Sequence, residues 1–322
     1  MKTKSVVAVV LLMLLGTASM TVAQESIAVH NSWSYGASMP VALDGTAVAV
    51  LENQIYVVGG DTPDVFVDNV QIYDPATDSW RSGVPLPTAT AGGCAGVVKN
   101  VLYFIGGITT GGVYTDAVWA YNPKTEEWSQ KKSMPTTPEA GAVCVVEKGI
   151  IYVMGGYGDY SFLATVEGYD PATNQWTPPT PPGQLQPMLS AEDDAGAGLI
   201  GTTIVVTDGS DNDVDGHNQG YDVPTNTWSW LTPDPTLRQG TCAASIGGRL
   251  YSAGGWDVVN NEALTIAESF TLSKDSWKTL ASMPQGTMGL GRSVVYKGQL
   301  YCFGGEYSNG GDPVSTVEIY QP

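Results

Sequence analysis

The stretch Tyr73-Asp-Pro-Ala-Thr-Asp-Ser-Trp80, preceded by the glycine pair Gly59-Gly60, shows the pattern that decides the fold. Tryptophans recur at a spacing of 47 to 52 residues, at Trp33, Trp80, Trp128, Trp176, Trp228 and Trp277. Glycine pairs follow the same period, at Gly59-Gly60, Gly106-Gly107, Gly155-Gly156, Gly254-Gly255 and Gly304-Gly305, with Asp208-Gly209 as a degenerate copy. Such self-similarity indicates one structural unit repeated along the chain.

Each unit contains the signals of two β-hairpins. Residues 47–58 are apolar on both sides of the polar pair Glu52-Asn53, which is typical of a hairpin. The interval from Tyr73 to Trp80 predicts a second hairpin, with Pro75 in its turn, where no ladder hydrogen bond is needed. Four strands in about 40 to 50 residues match one blade of a β-propeller. The repeated Tyr and Trp are therefore expected to fill the space between blades and to have no catalytic role.

The hydrophobic strand, the Gly-Gly pair and the Tyr and Trp at fixed separation resemble the kelch repeat family. The likeness runs from Trp33 to Tyr320 and departs from the pattern at Asp208-Gly209 and at Phe270, which replaces a tyrosine. It implies an all-β, six-bladed kelch-type β-propeller. The last unit has three strands and the first Trp strand stands alone, so we expect residues 31–35 to pair with residues 317–320 and complete the sixth blade.

The N-terminus has the features of a secretory signal peptide. Lys2 and Lys4 precede an apolar run over residues 6–15, and Thr21-Val22-Ala23 offers small residues for cleavage. An uncleaved membrane anchor is the alternative, but that run is shorter than the roughly 20 residues of a spanning helix. The sequence therefore predicts a signal peptide over residues 1–23 and a secreted propeller over residues 24–322, without an integral membrane segment in the mature chain.

The formal net charge of −18 disfavours nucleic acid and anionic membranes as partners, because both would be repelled. A glycan or an extracellular protein is the expected partner. The 4 cysteines lie within apolar strands, and either buried free thiols or any of three disulfide pairings fits the sequence.

In a propeller, the loops between second and third strands open on the same face as the connections between blades, and loops on a rigid scaffold usually carry binding residues. Aromatic and acidic residues recur there, which suits sugar rings or cationic groups; bracing of their own loops is the alternative role for the aromatics. The predicted ligand-binding residues are Trp256, Tyr157, Tyr160, Tyr307, Tyr114, Glu192, Asp193 and Asp194.

The fourth repeat contains an Asp-x-Asp-x-Asp-Gly sequence that resembles the start of a calcium loop. Its alternating carboxylates are Asp211, Asp213 and Asp215, and Asp222 stands where a twelfth-position ligand would be. Calcium is thus a candidate cofactor, with a solvated acidic loop as the alternative.

The sequence favours a secreted kelch-repeat binding module over an enzyme. Galactose oxidase and its relatives, which are also kelch propellers, hold copper with two histidines, whereas His30 and His217 are the only histidines here and only His217 falls in a loop of the candidate face. No catalytic residue is predicted. The alternative function is a carbohydrate-active enzyme, mutarotase-like or oxidase-like, in which carboxylates of the same face act as acid and base.

Overall fold

A computed structural model describes residues 30–136, 140–158, 160–177, 183–210, 216–289, 293–308 and 310–322. The expected signal peptide, residues 1–23, lies outside this range. Among the described residues, no helix has the length and apolar character needed to cross a membrane.

The regular secondary structure of the described chain is almost entirely β-strand. Its strands in chain order are β1 Ser32–Tyr35, β2 Ala47–Leu51, β3 Gln54–Val58, β4 Val70–Asp74, β5 Ser79–Ser82, β6 Thr90–Ala91, β7 Cys94–Val98, β8 Val101–Ile105, β9 Ile108–Thr109, β10 Val113–Tyr114, β11 Val118–Asn122, β12 Glu127–Gln130, β13 Val143–Glu147, β14 Ile150–Met154, β15 Tyr157–Gly158, β16 Ser161–Phe162, β17 Val166–Asp170, β18 Gln175–Trp176, β19 Gly196–Ile200, β20 Thr203–Thr207, β21 Asn218–Asp222, β22 Thr227–Trp230, β23 Cys242–Ile246, β24 Arg249–Ala253, β25 Trp256–Asp257, β26 Glu262–Ala263, β27 Ala267–Thr271, β28 Ser276–Thr279, β29 Ser293–Tyr296, β30 Gln299–Phe303 and β31 Val317–Gln321. A 3-10 helix, η1, spans Leu272–Lys274.

Within the described residues these strands form six four-stranded antiparallel sheets, one for each sequence repeat. The blades are, in order, β2-β3-β4-β5, β7-β8-β11-β12, β13-β14-β17-β18, β19-β20-β21-β22, β23-β24-β27-β28 and β29-β30-β31-β1. Of the short remaining strands, β6 lies in the connection between blades 1 and 2, and the others belong to loops beyond the second strand of blades 2, 3 and 5.

The first strands of the blades contact one another around a common axis. Each of β2, β7, β13, β19, β23 and β29 contacts the next in this order, and β29 contacts β2. The N-terminal β1 pairs with β31, with Trp33 opposite Tyr320, where the sequence predicted this pairing. The predicted fold class, an all-β kelch-type propeller, is confirmed.

The repeated Tyr and Trp residues hold the blades together. Tyr73 and Trp80 lie side by side with ring centroids 5.0 Å apart, and Trp80 Nε1 donates to the carbonyl oxygen of Ala37 in the preceding connection. The equivalent bonds run from Trp33 to Ala281, Trp128 to Val84, Trp176 to Lys132, Trp228 to Gln186 and Trp277 to Thr232. Each indole therefore ties its blade to the connection before it.

The glycine pair allows neighbouring blades to approach closely. Gly59 has φ of +65°, and a Cβ added to it would lie 2.3 Å from the carbonyl oxygen of Thr90 in the next connection. Gly60 donates its N–H to that same oxygen at 2.9 Å. A side chain at Gly59 would push the two blades apart, which explains the repetition of glycine here.

All four cysteines are paired, which corrects the interpretation of buried free thiols. Cys94 on β7 is bonded to Cys144 on β13, and Cys242 on β23 is bonded to Cys302 on β30. Each bond joins two neighbouring blades. The pairing follows from which strands face each other across a blade interface, and strand patterns in the sequence do not contain that information.

Candidate binding site at the axial mouth

Loops from different parts of each repeat meet on one face of the propeller. Asp44, before β2, forms an isolated β-bridge with Asp61, which follows the glycine pair of the same blade. The equivalent bridges are Ala140 with Tyr157, Asp193 with Ser210, Gln239 with Trp256 and Met288 with Glu306. The loops between second and third strands lie here, and we call the surface of their described residues the loop face: residues 61–68, 108–116, 157–158, 160–163, 208–210, 216–218, 256–263, 306–308 and 310–313.

Backbone hydrogen bonds link the connections around the axis at this end. Along the series Gly45, Gly92, Gly141, Asp194, Gly240 and Gly289, the N–H of each residue after Gly45 donates to the carbonyl oxygen of the one before it, at 2.8 to 3.2 Å. We call these six residues the axial ring. Asp194 is its only member with a side chain beyond hydrogen, and it adopts φ of +56°. We call the opening that the axial ring surrounds the mouth. The left-handed conformation is disfavoured for a residue with a Cβ, so Asp194 places a carboxyl group at the mouth at a conformational cost.

Asp193 and Asp194 form a proton-sharing pair beside this ring. A Cβ built on Gly141 would lie 1.8 Å from Asp193 Oδ1 and 2.7 Å from Asp194 Oδ1, so both carboxyl groups lie against the ring. Burial raises the pKa of Asp193 to about 6. Burial and the neighbouring Asp193 and Asp44 raise the pKa of Asp194 well above its usual range. The pair therefore binds a proton more readily than two exposed carboxyl groups would, and Asp194 is the more easily protonated of the two.

Two more carboxyl groups lie near the mouth. Burial raises the pKa of Asp61, whose Oδ1 lies 2.9 Å from a Cβ built on Gly45 of the axial ring. Burial also raises the pKa of Glu306, although hydrogen bonds from Gly310 and Gly311 act in the opposite direction. Both carboxyl groups therefore take up a proton at a higher pH than an exposed carboxyl group does, and a protonated carboxyl group can donate a hydrogen bond as well as accept one.

Three of the predicted tyrosines gather beside the acidic pair. The rings of Tyr114 and Tyr157 have centroids 6.3 Å apart, and Tyr157 stands edge-on to Phe162 at 5.4 Å. Burial raises the pKa of Tyr114, with smaller contributions from Tyr157, Asp193 and Tyr160. Tyr160 has 94% of its surface exposed. The structure thus brings Tyr114, Tyr157 and Tyr160 together with Asp193, and we call this group the Tyr-Asp cluster.

Three other predicted residues have different surroundings. Trp256, on β25, is only 4% exposed, which corrects the expectation of an open stacking surface. Glu192 is buried and lies 3.1 Å from His217 Nδ1. Tyr307 is exposed, but the charged and phenolic groups that affect its pKa, Glu318 and Tyr35, belong to blade 6.

The proposed calcium ligands do not come together as predicted. Asp211, Asp213 and Asp215 lie outside the described residues. Asp222 pairs with Thr203 at the far end of β21, whereas Asn218 adjoins the loop, so four residues, or about 13 Å, separate it from that face. Asp222 accepts a hydrogen bond from Thr225 in its own turn, and this corrects its assignment as a ligand. No group of three or more metal-binding side chains occurs in the described parts of the chain.

A cavity of about 470 Å³ runs along the axis behind the mouth. The first strands line it, largely with small residues such as Ala49, Gly96 and Ala197, and Asp194 stands at its edge. A narrow ligand group could enter this cavity while the loops hold the remainder.

A buried ionic cluster, which sequence reasoning missed, joins blades 4 and 5. Arg238 Nη1 donates to the carbonyl oxygens of Ile266 at 2.9 Å and Gly254 at 3.2 Å, while its Nη2 donates to Asp234 and Glu268. Asp208 is the third carboxylate near the guanidinium and raises its pKa. We call Arg238, Asp208, Asp234 and Glu268 the Arg238 cluster. The sequence contains one feature that points to this cluster: Asp208 stands where the other repeats have the first glycine of the pair. It adopts a positive φ of +61° there.

Profile comparisons place this fold among known proteins. Residues 29–193, half of the chain, match the KLHDC2/KLHL20/DRC7 Kelch-repeats domain, and residues 237–284 match the Kelch motif. The chain belongs to the Kelch-repeat family. The predicted family is thus confirmed, and membership indicates an interaction module.

Individual relatives match only part of this Kelch-repeat protein. Kelch-like protein 23 of Pongo abelii is 29% identical over 104 residues, covering 32% of this chain and 17% of that protein. Kelch-like protein terF of Aspergillus terreus is 27% identical over 106 residues, covering 32% of this chain and 23% of that protein. The solved structure titled "Structure of YjhT" superimposes with a TM-score of 0.73 at 20% identity, covering 88% of this chain and 96% of that one, and shows the fold alone.

The Kelch-repeat protein is expected to become less stable as pH rises from 5 to 8. Burial raises the pKa of Asp208 to about 6 and those of Asp234 and Glu268 to about 7. The native state therefore holds protons that the unfolded chain releases above about pH 4, and this stabilisation is lost as pH rises through the folded-state values. Melting temperatures across this range test the slope.

Asp234→Asn should flatten that dependence, because it removes one of the titrating groups without changing the side-chain shape. Asp64→Asn removes one negative charge at an exposed loop position. It is the matched control for this change in net charge and should leave the slope unchanged. Equal slopes in the wild type and Asp234→Asn would contradict the assignment.

Proposed function

We propose that this protein is a secreted binding module that recognises a glycan or an extracellular protein at the loop face, centred on the Tyr-Asp cluster. The observation that carries the proposal is the exposed Tyr160 beside the Tyr114 and Tyr157 pair, at the edge of a mouth where Asp193 and Asp194 share a proton.

The chemistry of the cluster supports binding. Tyrosine rings provide large contact areas with few rotatable bonds and a hydroxyl group at one end, which is why tyrosine is common at recognition surfaces. A carboxyl pair that shares a proton can both donate to and accept from hydroxyl or amide groups. The tyrosine rings and the carboxyl pair can therefore together bind a polar ligand that also has apolar faces.

The disulfides support export. Cys94 with Cys144 and Cys242 with Cys302 are bonds of a kind that persists in oxidising compartments and is rare in the cytosol. This agrees with the signal peptide expected over residues 1–23.

A screen of the exported protein against a glycan array and an array of extracellular proteins tests the proposal. Tyr157→Ala and Tyr160→Ala should each weaken the strongest interaction at least about ten-fold, or about 1.4 kcal/mol, because each removes an aromatic contact. Tyr35→Ala is the control, since Tyr35 is also an exposed tyrosine but lies on β1, the outer strand of blade 6, whereas the tyrosines of the Tyr-Asp cluster belong to the loops of blades 2 and 3. Unchanged affinity in both loop variants would contradict the proposed site.

A carbohydrate-active enzyme is the second candidate. It is favoured by the proton-sharing Asp193 and Asp194, which place a donor and an acceptor at one mouth. NMR spectra of any sugar that binds would separate the candidates: new sugar signals that disappear with Asp193→Asn indicate turnover, and unchanged spectra indicate binding alone.

A further inference from the structure

The six loops of the loop face carry charge of one sign. Among their described residues there is no lysine or arginine, and five of the six loops contain a described aspartate or glutamate. The exposed acids among the described residues of these loops are Asp64, Asp68, Asp116, Glu262 and Asp312. The turns at the other end of the sheets carry both signs, for example Lys99 and Lys148 together with Glu52 and Glu126. The negative potential is therefore concentrated on the loop face.

The same loops carry exposed apolar side chains at their tips. Six of the nine large apolar residues that are exposed in the described structure lie in these loops: Val65, Val113, Tyr160, Val258, Val259 and Tyr307. Their exposed fractions range from 42% to 94%. They come from blades 1, 2, 3, 5 and 6, so they are spread around the axis. They therefore provide separate apolar contact points between the acidic side chains and do not form one contiguous patch.

Together these features specify the chemistry of a partner. Lysine or arginine side chains would be attracted to the acidic loops, whereas anionic glycans and anionic membranes would be repelled. The valine tips offer no flat ring for stacking against a sugar, but they can pack against aliphatic side chains. A second copy presenting the opposite end of its sheets would bring acids such as Glu52 and Glu126 against this face.

We propose that the loop face docks a cationic protein surface in which lysine or arginine side chains alternate with apolar ones. This inference rests on the proposed binding function and names its partner class. The apolar tips contact the partner's apolar side chains, while the exposed carboxylates pair with its cationic groups. Because the carboxylates are solvent-exposed, they contribute more to the rate of association and to salt dependence than to the total affinity.

A synthetic 20-residue peptide of Lys, Leu and Gly is the probe, with a matched peptide carrying Glu in place of Lys. Fluorescence anisotropy with the exported protein should show saturable binding of the Lys peptide and none of the Glu peptide. Affinity should fall roughly ten-fold or more between 50 and 300 mM salt, because exposed charges are screened over this range.

Two charge-reversed variants distinguish binding at the loop face from attraction to the net charge of the whole molecule. Asp64→Lys with Asp312→Lys should weaken binding about ten-fold, because both residues are exposed on the loop face. Glu52→Lys with Glu127→Lys changes the net charge equally at the other end of the sheets and should change the affinity less than about two-fold. Val113→Ser with Val259→Ser should weaken binding without altering the salt dependence.

Equal losses of affinity in the two charge-reversed variants would overturn the inference, because the attraction would then be explained by the net charge alone. Equal binding of the Lys and Glu peptides would overturn it as well. Glycan binding that is lost in Tyr157→Ala, together with no binding of the Lys peptide, would support the proposed function and contradict the cationic partner. No binding of the Lys peptide and no binding on either array would contradict both the proposed function and the cationic partner.

Discussion

Arg238→Met is expected to destabilise the protein by roughly 3–5 kcal/mol at pH 8, because it leaves buried carboxylates without their cation. Arg238 and Asp234 side chains are fully buried, and Glu268 is nearly so. Methionine approximates the volume of the arginine stem but cannot donate to these carboxylates or to the carbonyl oxygens of Gly254 and Ile266. Urea denaturation at pH 8 measures the loss.

The pH dependence identifies the cause of that loss. At pH 5 the carboxyl groups of the Arg238 cluster are largely protonated, so the difference between Arg238→Met and the wild type should shrink. Arg249→Met is the matched control; Arg249 is exposed at the start of β24, and its loss should cost no more than about 0.5 kcal/mol. A deficit for Arg238→Met that is equally large at pH 5 and pH 8 would point to lost packing instead of uncompensated charge.

Removing the Cys94–Cys144 disulfide with the double change Cys94→Ala and Cys144→Ala is expected to cost about 4 kcal/mol. The bond closes a chain segment of 50 residues, and opening it increases the conformational entropy of the unfolded state. Because the bond also joins β7 to β13, its loss weakens the contact between blades 2 and 3. Denaturation without reductant measures the change.

A reductant provides the control for this prediction. Dithiothreitol should destabilise the wild type by at least as much as the double change, because it also opens Cys242–Cys302. In a variant with all four cysteines replaced by alanine, dithiothreitol should have no effect on stability. An unchanged unfolding midpoint in Cys94→Ala/Cys144→Ala would show that the blade interface is stable without this bond.

Parts of the candidate site could be predicted, and the reasons for the failures are specific. The sequence places Tyr157 and Asp193 on one face because variable loops on a repeated scaffold are visible in it, and their role in binding stays a prediction. Trp256 is predicted to be open to ligand from the same pattern, yet its side chain is buried, and burial depends on packing that the repeat pattern does not contain. Asp222 was assigned by its spacing in the chain, but β21 carries it to the opposite end of the sheet.

The sequence by itself determined the repeating unit, its four strands and the residues that fill each blade interface, because strand alternation, glycine pairs and Tyr-to-Trp spacing are local features. Only the tertiary structure decided the Cys94–Cys144 and Cys242–Cys302 pairing, the burial of the Arg238 cluster and the shared proton of Asp193 and Asp194. These depend on distances between side chains of different blades or around the axis, and on the desolvation there. Both quantities exist only once the blades have closed into a ring.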